Sequence, residues 1–180
     1  MTVEYLKKAD RKSTDDANNV HAIVKTILDD IEAGGDDAAR RYAAQFDKYD
    51  GNVVLTREEI EKASDLVPQR LKDDIRFAWD NVRLFAEAQK ETIKDTEVEL
   101  RPGMFAGQKA IPCRAAGCYA PGGRYSHIAS ALMTVTTAKV AGCGHITACS
   151  PPRPGIGIAP AIVYTADLCG ADKILALGGV

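Results

Sequence analysis

The stretch that decides the fold is AAGCYAPGGRYSH at residues 115–127, followed by the helical run Ile128 to Ala141 and by HITACS at 145–150. A short apolar strand, Ala115 to Tyr119, runs into a Pro121-Gly122-Gly123 bend, a helix and a second strand. Downstream, Pro160 to Cys169 reads as a helix with proline in its first turn and Gly170 at its stop. The apolar run Lys173 to Leu177 and the pair Gly178-Gly179 follow. The order is βαβαβ. Strands alternating with helices of this length imply right-handed crossovers and a parallel sheet, as in doubly wound nucleotide-binding folds. Three strands make a small sheet with an exposed edge that wants further strands.

Upstream of this unit the chain is charged and helical in pattern, and its character changes near residue 95. Ile23, Ile27, Leu28 and Ile31 fall on one face of a helix over 17–33, which Gly34-Gly35 stops. A second helix starts at Asp36 or Asp37 and runs to about Phe46, its end set by Asp50-Gly51. Thr56 and Glu59 form a capping box that opens a short helix. Pro68 fits the first turn of a longer helix that reaches about Lys90, with an apolar stripe of Leu71, Ile75, Ala78, Val82 and Phe85. That stripe assigns Trp79 and Phe85 to core or interface rather than to a cofactor box. Val98 and Leu100 alternate with Glu97 and Glu99, and Gln108 to Pro112 can pair with them as a hairpin. The expected division is therefore a helical region at 1–95, a β-ribbon at 96–113, and the first part of a Rossmann-like domain at 114–180.

Composition narrows the function classes. The 180 residues are 46% hydrophobic and 27% charged, enough to bury a core. With 23 basic and 25 acidic residues the formal charge is −2, which gives no footprint for nucleic acid or an anionic membrane. No run approaches the roughly 20 apolar residues of a membrane span, and the start MTVEYLKKADRKS has no apolar core of a secretion signal. A cytoplasmic location is expected. The five cysteines lack CxxC spacing and are odd in number, so reduced, mostly buried thiols are expected. His21 and His145 have no companion ligands, and three scattered histidines assemble no catalytic triad or zinc set.

The bend after the first strand is the candidate site. Ligands of open α/β sheets bind at the carboxyl ends of the strands. Gly122 and Gly123 allow a sharp turn and close backbone approach, and the following helix aims its amides and positive dipole end there, which suits a pyrophosphate. The segment is not GxGxxG, and a Pro-Gly-Gly turn equally serves to reverse a chain. Tyr119 at the strand end either stacks on a base, donates a hydrogen bond, or packs. Arg124 is a fork for carboxylate, phosphate or sulfonate, and His127 three residues on can share its pocket; a solvated helix start is the alternative for both. The Ser150 to Gly157 loop lies on the same edge, as cleft wall or rigid connector.

The runs GCYAPGGRYSHIASALMTVTTAKVAGCGHITACSPP at 117–152 and APAIVYTADLCGADKILALGGV at 159–180 resemble the histidinol dehydrogenase family. The resemblance implies Rossmann-like domains related to the aldehyde dehydrogenase fold, intertwined homodimers, one zinc ion per site, and two successive hydride transfers to NAD. An alcohol becomes an aldehyde and then a carboxylate. By that resemblance Tyr119 contacts NAD, and Pro121, Gly122 and Gly123 form the loop around it. The family's next NAD contact, a glutamine, falls just beyond Val180, and its catalytic Glu-His pair and zinc ligands also lie outside these residues. No catalytic or metal residue is therefore assigned here, and the chain reads as a truncated N-terminal part without turnover of its own. Arg124 to Ser130 resembles the branch that oxidises 2,3-dihydroxypropane-1-sulfonate in sulfonate catabolism, rather than L-histidinol in histidine biosynthesis. The competing reading is a non-catalytic nucleotide-binding or dimerisation module, with a helical partner-binding protein behind it.

Overall fold

The structure is a computed structural model that describes residues 14–122 and 125–178. Helix α1 (Thr14–Tyr42) is broken at Gly35, whose φ of 54° and ψ of −139° are not helical. The two helices foreseen on either side of Gly34-Gly35 are thus joined by a kink instead of a loop. A π-turn, Ala43–Asp47, ends the segment, closed by Lys48 in the left-handed conformation. The apolar face of α1 is only partly covered: Ile27 is buried while Ile23 and Leu28 stay exposed.

Helix α2 (Arg57–Asp65) carries the capping box. The Glu59 amide donates to Thr56 Oγ1 at 3.2 Å and the Thr56 amide donates to Glu59 Oε2 at 2.7 Å. Helix α3 (Gln69–Glu91) follows with Pro68 at its N-cap, one residue earlier than the first-turn position expected for it. Its stripe runs through Leu71, Ile75, Ala78 and Val82 into the core but continues on the small Ala86. Phe85 points outward, 67% exposed, which leaves the interface of the two places expected for it, core or interface. Trp79 does pack against the core.

Strands β1 (Thr96–Arg101) and β2 (Met104–Gln108) form the antiparallel hairpin. The partner strand lies earlier than the expected 108–112, because Gly103 at φ 78° closes the turn directly after Pro102. Every residue of both strands is exposed.

The parallel unit comprises β3 (Ala115–Tyr119), α4 (Ile128–Ala141), β4 (His145–Ser150), α5 (Pro160–Cys169) and β5 (Lys173–Ala176). These bounds match the sequence reading except that β5 ends one residue sooner. The sheet order is β3-β4-β5 with both pairings parallel. Because the chain steps in one direction, right-handed crossovers put both helices on one face. On that face Cys118, Ile146, Ala148, Ser150, Ile174 and Ala176 are buried. Helices α4 and α5 are apolar nearly all round, since the sheet covers one side of them and α3 and α2 cover the other. Arg57 pairs with Asp167 to tie α2 to α5, and Arg76 Nε donates to Tyr164 Oη at 3.1 Å to tie α3 to α5.

The edges of the sheet differ. Val53–Leu55, from the helical half, runs antiparallel along β5: Leu55 N donates to Ile174 O at 3.0 Å and Ala176 N to Val53 O at 2.7 Å. The outer edge of β3 has no strand partner among the described residues.

Candidate functional site

Tyr119 is the last residue of β3 and is 48% exposed at the carboxyl edge of the sheet. Burial of its ring, then the nearby Cys149 and Asp47, push its phenol above the ordinary tyrosine range. The hydroxyl therefore stays protonated at neutral pH and can donate a hydrogen bond. Ala120 continues the ladder by donating to Cys149 O at 2.8 Å, and the chain then leaves the sheet at Pro121 and the buried Gly122.

Both carbonyls of that bend are tied down. The Pro121 oxygen accepts from His127 N at 3.0 Å, which closes the loop onto the start of α4. The Gly122 oxygen accepts from Arg153 Nε at 3.3 Å and Nη2 at 3.2 Å. Arg153 is itself fixed by paired backbone bonds to Gly157 across the loop after β4. Gly123 and Arg124 lie outside the described residues, so the sequence readings placed on them have no structural counterpart here. His127 is the N-cap of α4, exposed, and its side chain makes no capping bond. The first turn of α4 thus has no side-chain acceptor. His127 N donates to Pro121 O, Ile128 N to Ser126 O and Ser130 N to His127 O, each at 3.0 Å, so what it turns toward an anion is its positive dipole end rather than a set of free amides.

The Ser150-Pro151 segment at the end of β4 is the ridge on which the neighbouring turns rest. A Cβ on Gly122 would come within 2.6 Å of Ser150 Oγ, so only glycine fits there. The Ser150 hydroxyl beneath it is fully buried and makes no hydrogen bond. A Cβ on Gly178, just past β5, would collide with Pro151. The loop read from sequence as wall or connector therefore sets the spacing of the two turns beside it. Asp47, which sequence reading leaves as a residue past a helix end, also reaches this edge: its Oδ2 accepts from Gly178 N at 3.1 Å. No local pattern announces that contact.

An apolar hollow of about 580 Å³ lies elsewhere, between the C-terminal ends of α3 and α4, lined by Ile93, Ile111 and Val140 among others. It sits at the amino ends of the strands, where no helix N-terminus or polar convergence accompanies it, so we place the site at the opposite edge. Among the described residues no group of three or more His, Cys, Asp or Glu side chains could hold a metal ion. No helix of the described residues is long and apolar enough to cross a membrane.

An open parallel βαβαβ sheet with both helices stacked on one face and glycines at its carboxyl edge defines an α/β protein with an incomplete Rossmann-like unit. The family model described as histidinol dehydrogenase matches residues 10–180, and the chain belongs to that family. It is 67% identical to the sulfopropanediol 3-dehydrogenase of Ruegeria pomeroyi over all of its own length and 41% of that protein. It is 52% identical to a histidinol dehydrogenase homolog of Pelagibacter ubique, covering 42% of it. The crystal structure of histidinol dehydrogenase from Elizabethkingia anophelis superposes with a TM-score of 0.79 at 31% identity, over 97% of this chain and 38% of that one. The chain thus spans about two fifths of the length of the relatives it matches.

Proposed function

We propose that this chain forms the dinucleotide-binding part of an NAD-dependent dehydrogenase that oxidises 2,3-dihydroxypropane-1-sulfonate, through the aldehyde, to the carboxylate. The observation that carries the reading is the Tyr119 bend. A half-exposed, protonated tyrosine ends β3, and the bend behind it is tied at both carbonyls beneath the uncapped start of α4. These residues fit NAD. When bound, NAD supplies the hydride acceptor. The start of α4 offers its positive dipole end to the pyrophosphate. Tyr119 offers a ring face for stacking and a phenol that donates a hydrogen bond; above its ordinary range it is no base at neutral pH. Arg153 and the His127 amide keep the bend from closing over this space.

Zinc belongs to the same reading of the whole enzyme, but the described residues provide no ligand set for it. The choice of the sulfonate substrate rests on the 67% identity to a relative named for sulfopropanediol oxidation. A homodimer is proposed as well, supported by the exposed apolar side chains Val98, Leu100 and Phe105 on a hairpin that nothing among the described residues covers.

The test is NADH formation by the complete protein, with dihydroxypropanesulfonate and L-histidinol supplied side by side. The expected result is two NADH per sulfonate alcohol consumed and little with histidinol; turnover of histidinol alone moves the protein to the other branch. Tyr119→Ala should weaken NAD binding about tenfold or more while Tyr119→Phe keeps most of it, as a stacking role requires. Unchanged NAD affinity in Tyr119→Ala overturns the placement of the dinucleotide.

A further inference from the structure

The strands of the parallel unit bring no charge to their carboxyl ends. Strand β3 ends in Tyr119-Ala120, β4 in Ser150-Pro151 and β5 in Ala176-Leu177-Gly178. The carboxylate found there comes from the helical half. The π-turn Ala43–Asp47 adds one residue per turn relative to an α-helix, and with Lys48 left-handed at φ 50° it re-aims the chain at its last residue, Asp47. Asp47 Oδ2 accepts the Gly178 amide at 3.1 Å across 131 residues of sequence, in a part-buried setting. The same carboxylate lies near enough to Tyr119 to add, after burial of the ring and Cys149, to the rise of its phenol.

This hydrogen bond is not what fastens the helical half to the sheet. That task falls to Val53–Leu55, whose two backbone bonds to Ile174 and Ala176 already anchor the segment along β5. What Asp47 adds is local. Gly178, just past β5, is hemmed on one side by Pro151 and held on the other by the carboxylate. A glycine without that second restraint has more backbone states to lose when a ligand arrives.

We infer that Asp47 is a positioning residue of the dinucleotide site, holding the Gly178 backbone in place past the end of β5 so that the carboxyl edge is preorganised before the cofactor binds. The inference rests on the proposed NAD reading and extends it to a residue outside the βαβαβ unit. Asp47 touches no reacting atom in this role; it acts through Gly178.

The experiment measures NADH affinity by fluorescence titration, and KM for NAD and for the alcohol, in the full chain and in Asp47→Ala and Asp47→Asn. Asparagine keeps an oxygen that can accept from Gly178 and removes the charge. The expected result for Asp47→Ala is a rise of about tenfold or more in the NADH Kd and the NAD KM, as loss of a charge-assisted hydrogen bond implies. The KM for the alcohol should stay unchanged, which also reports that the variant is folded. Asp47→Asn should restore NAD affinity to within about threefold, as a retained neutral hydrogen bond predicts. NADH affinity unchanged in Asp47→Ala overturns the inference, as does a parallel loss for NAD and alcohol that asparagine fails to rescue. If the parent protein binds no NADH, the dinucleotide reading itself has failed, and the inference falls with it.

Discussion

The two faces of the parallel sheet follow different rules although they alternate residue by residue along the same strands. One face, with Cys118, Ile146, Ala148, Ile174 and Ala176, is sealed under α4 and α5. The other, with Ala115, Gly117, Tyr119, Thr147, Cys149 and Lys173, is open or half-open. The sealed face is built of branched and small apolar residues that interlock with the helices. The open face is built mostly of small or polar ones, with Leu175 half-buried on β5, and the ring that ends β3 stands on it. Parallel sheets are ordinarily covered on both faces, so the contrast separates the part of the sheet that makes the fold from the part left available for ligand or further chain.

The sharpest way to break this contrast is to truncate one residue on each face. Ile146→Ala removes a side chain with no exposed surface from the middle of the sealed face, and unfolding free energy should drop by roughly 2–5 kcal/mol. Denaturant titration measures it; a loss well under 1 kcal/mol would mean that the helices do not close on β4 as described.

A second comparison uses two thiols on adjacent strands. Cys118 points into the sealed face and Cys149 shares the open face with Tyr119. Burial raises both thiols above the ordinary range, so both are protonated at neutral pH, and thiolate grows only as the pH rises toward the raised values. Alkylation followed by peptide mass mapping should modify the exposed Cys113 first. Cys149 should follow, faster as the pH is raised, while Cys118 should wait for unfolding and lag by an order of magnitude or more. Equal rates at Cys118 and Cys149 would erase the distinction between the faces.

The smallest effect is expected at Gly117. A Cβ there meets nothing within 4 Å, and its backbone is ordinary strand. Gly117→Ala should change stability by less than about 0.5 kcal/mol, by the measure of surface substitutions. A large loss in a thermal melt would reveal that something covers the open face in solution.

Much of this architecture could be read in advance. The bounds of β3, α4, β4 and α5 follow from apolar runs punctuated by Pro-Gly-Gly, Pro160 and Gly170, and the capping box of α2 from Thr56 and Glu59 alone. The hairpin partner was misplaced because alternation does not say where a turn closes; the positive φ of Gly103 does. A stripe read at helical spacing does not reveal which of two neighbouring positions meets the core, and here Ala86 is buried while Phe85 stays outside it. Of the candidate site, Tyr119, Pro121 and Gly122 could be named from sequence, since a strand followed by a glycine bend is a local signal. Arg153 on the Gly122 carbonyl and Asp47 on the Gly178 amide could not.

The amino-acid sequence by itself determined the alternation of strands and helices, the bend that ends the first parallel strand, and the family to which the chain belongs, because each is written in spacings of a few residues. The tertiary structure alone decided that Val53–Leu55 closes one edge of the sheet, that Ser150-Pro151 spaces the turns beside it, and that a π-turn delivers Asp47 to Gly178. Those contacts join residues far apart along the chain, and a hydrogen bond spanning 131 positions leaves no period for a sequence to display.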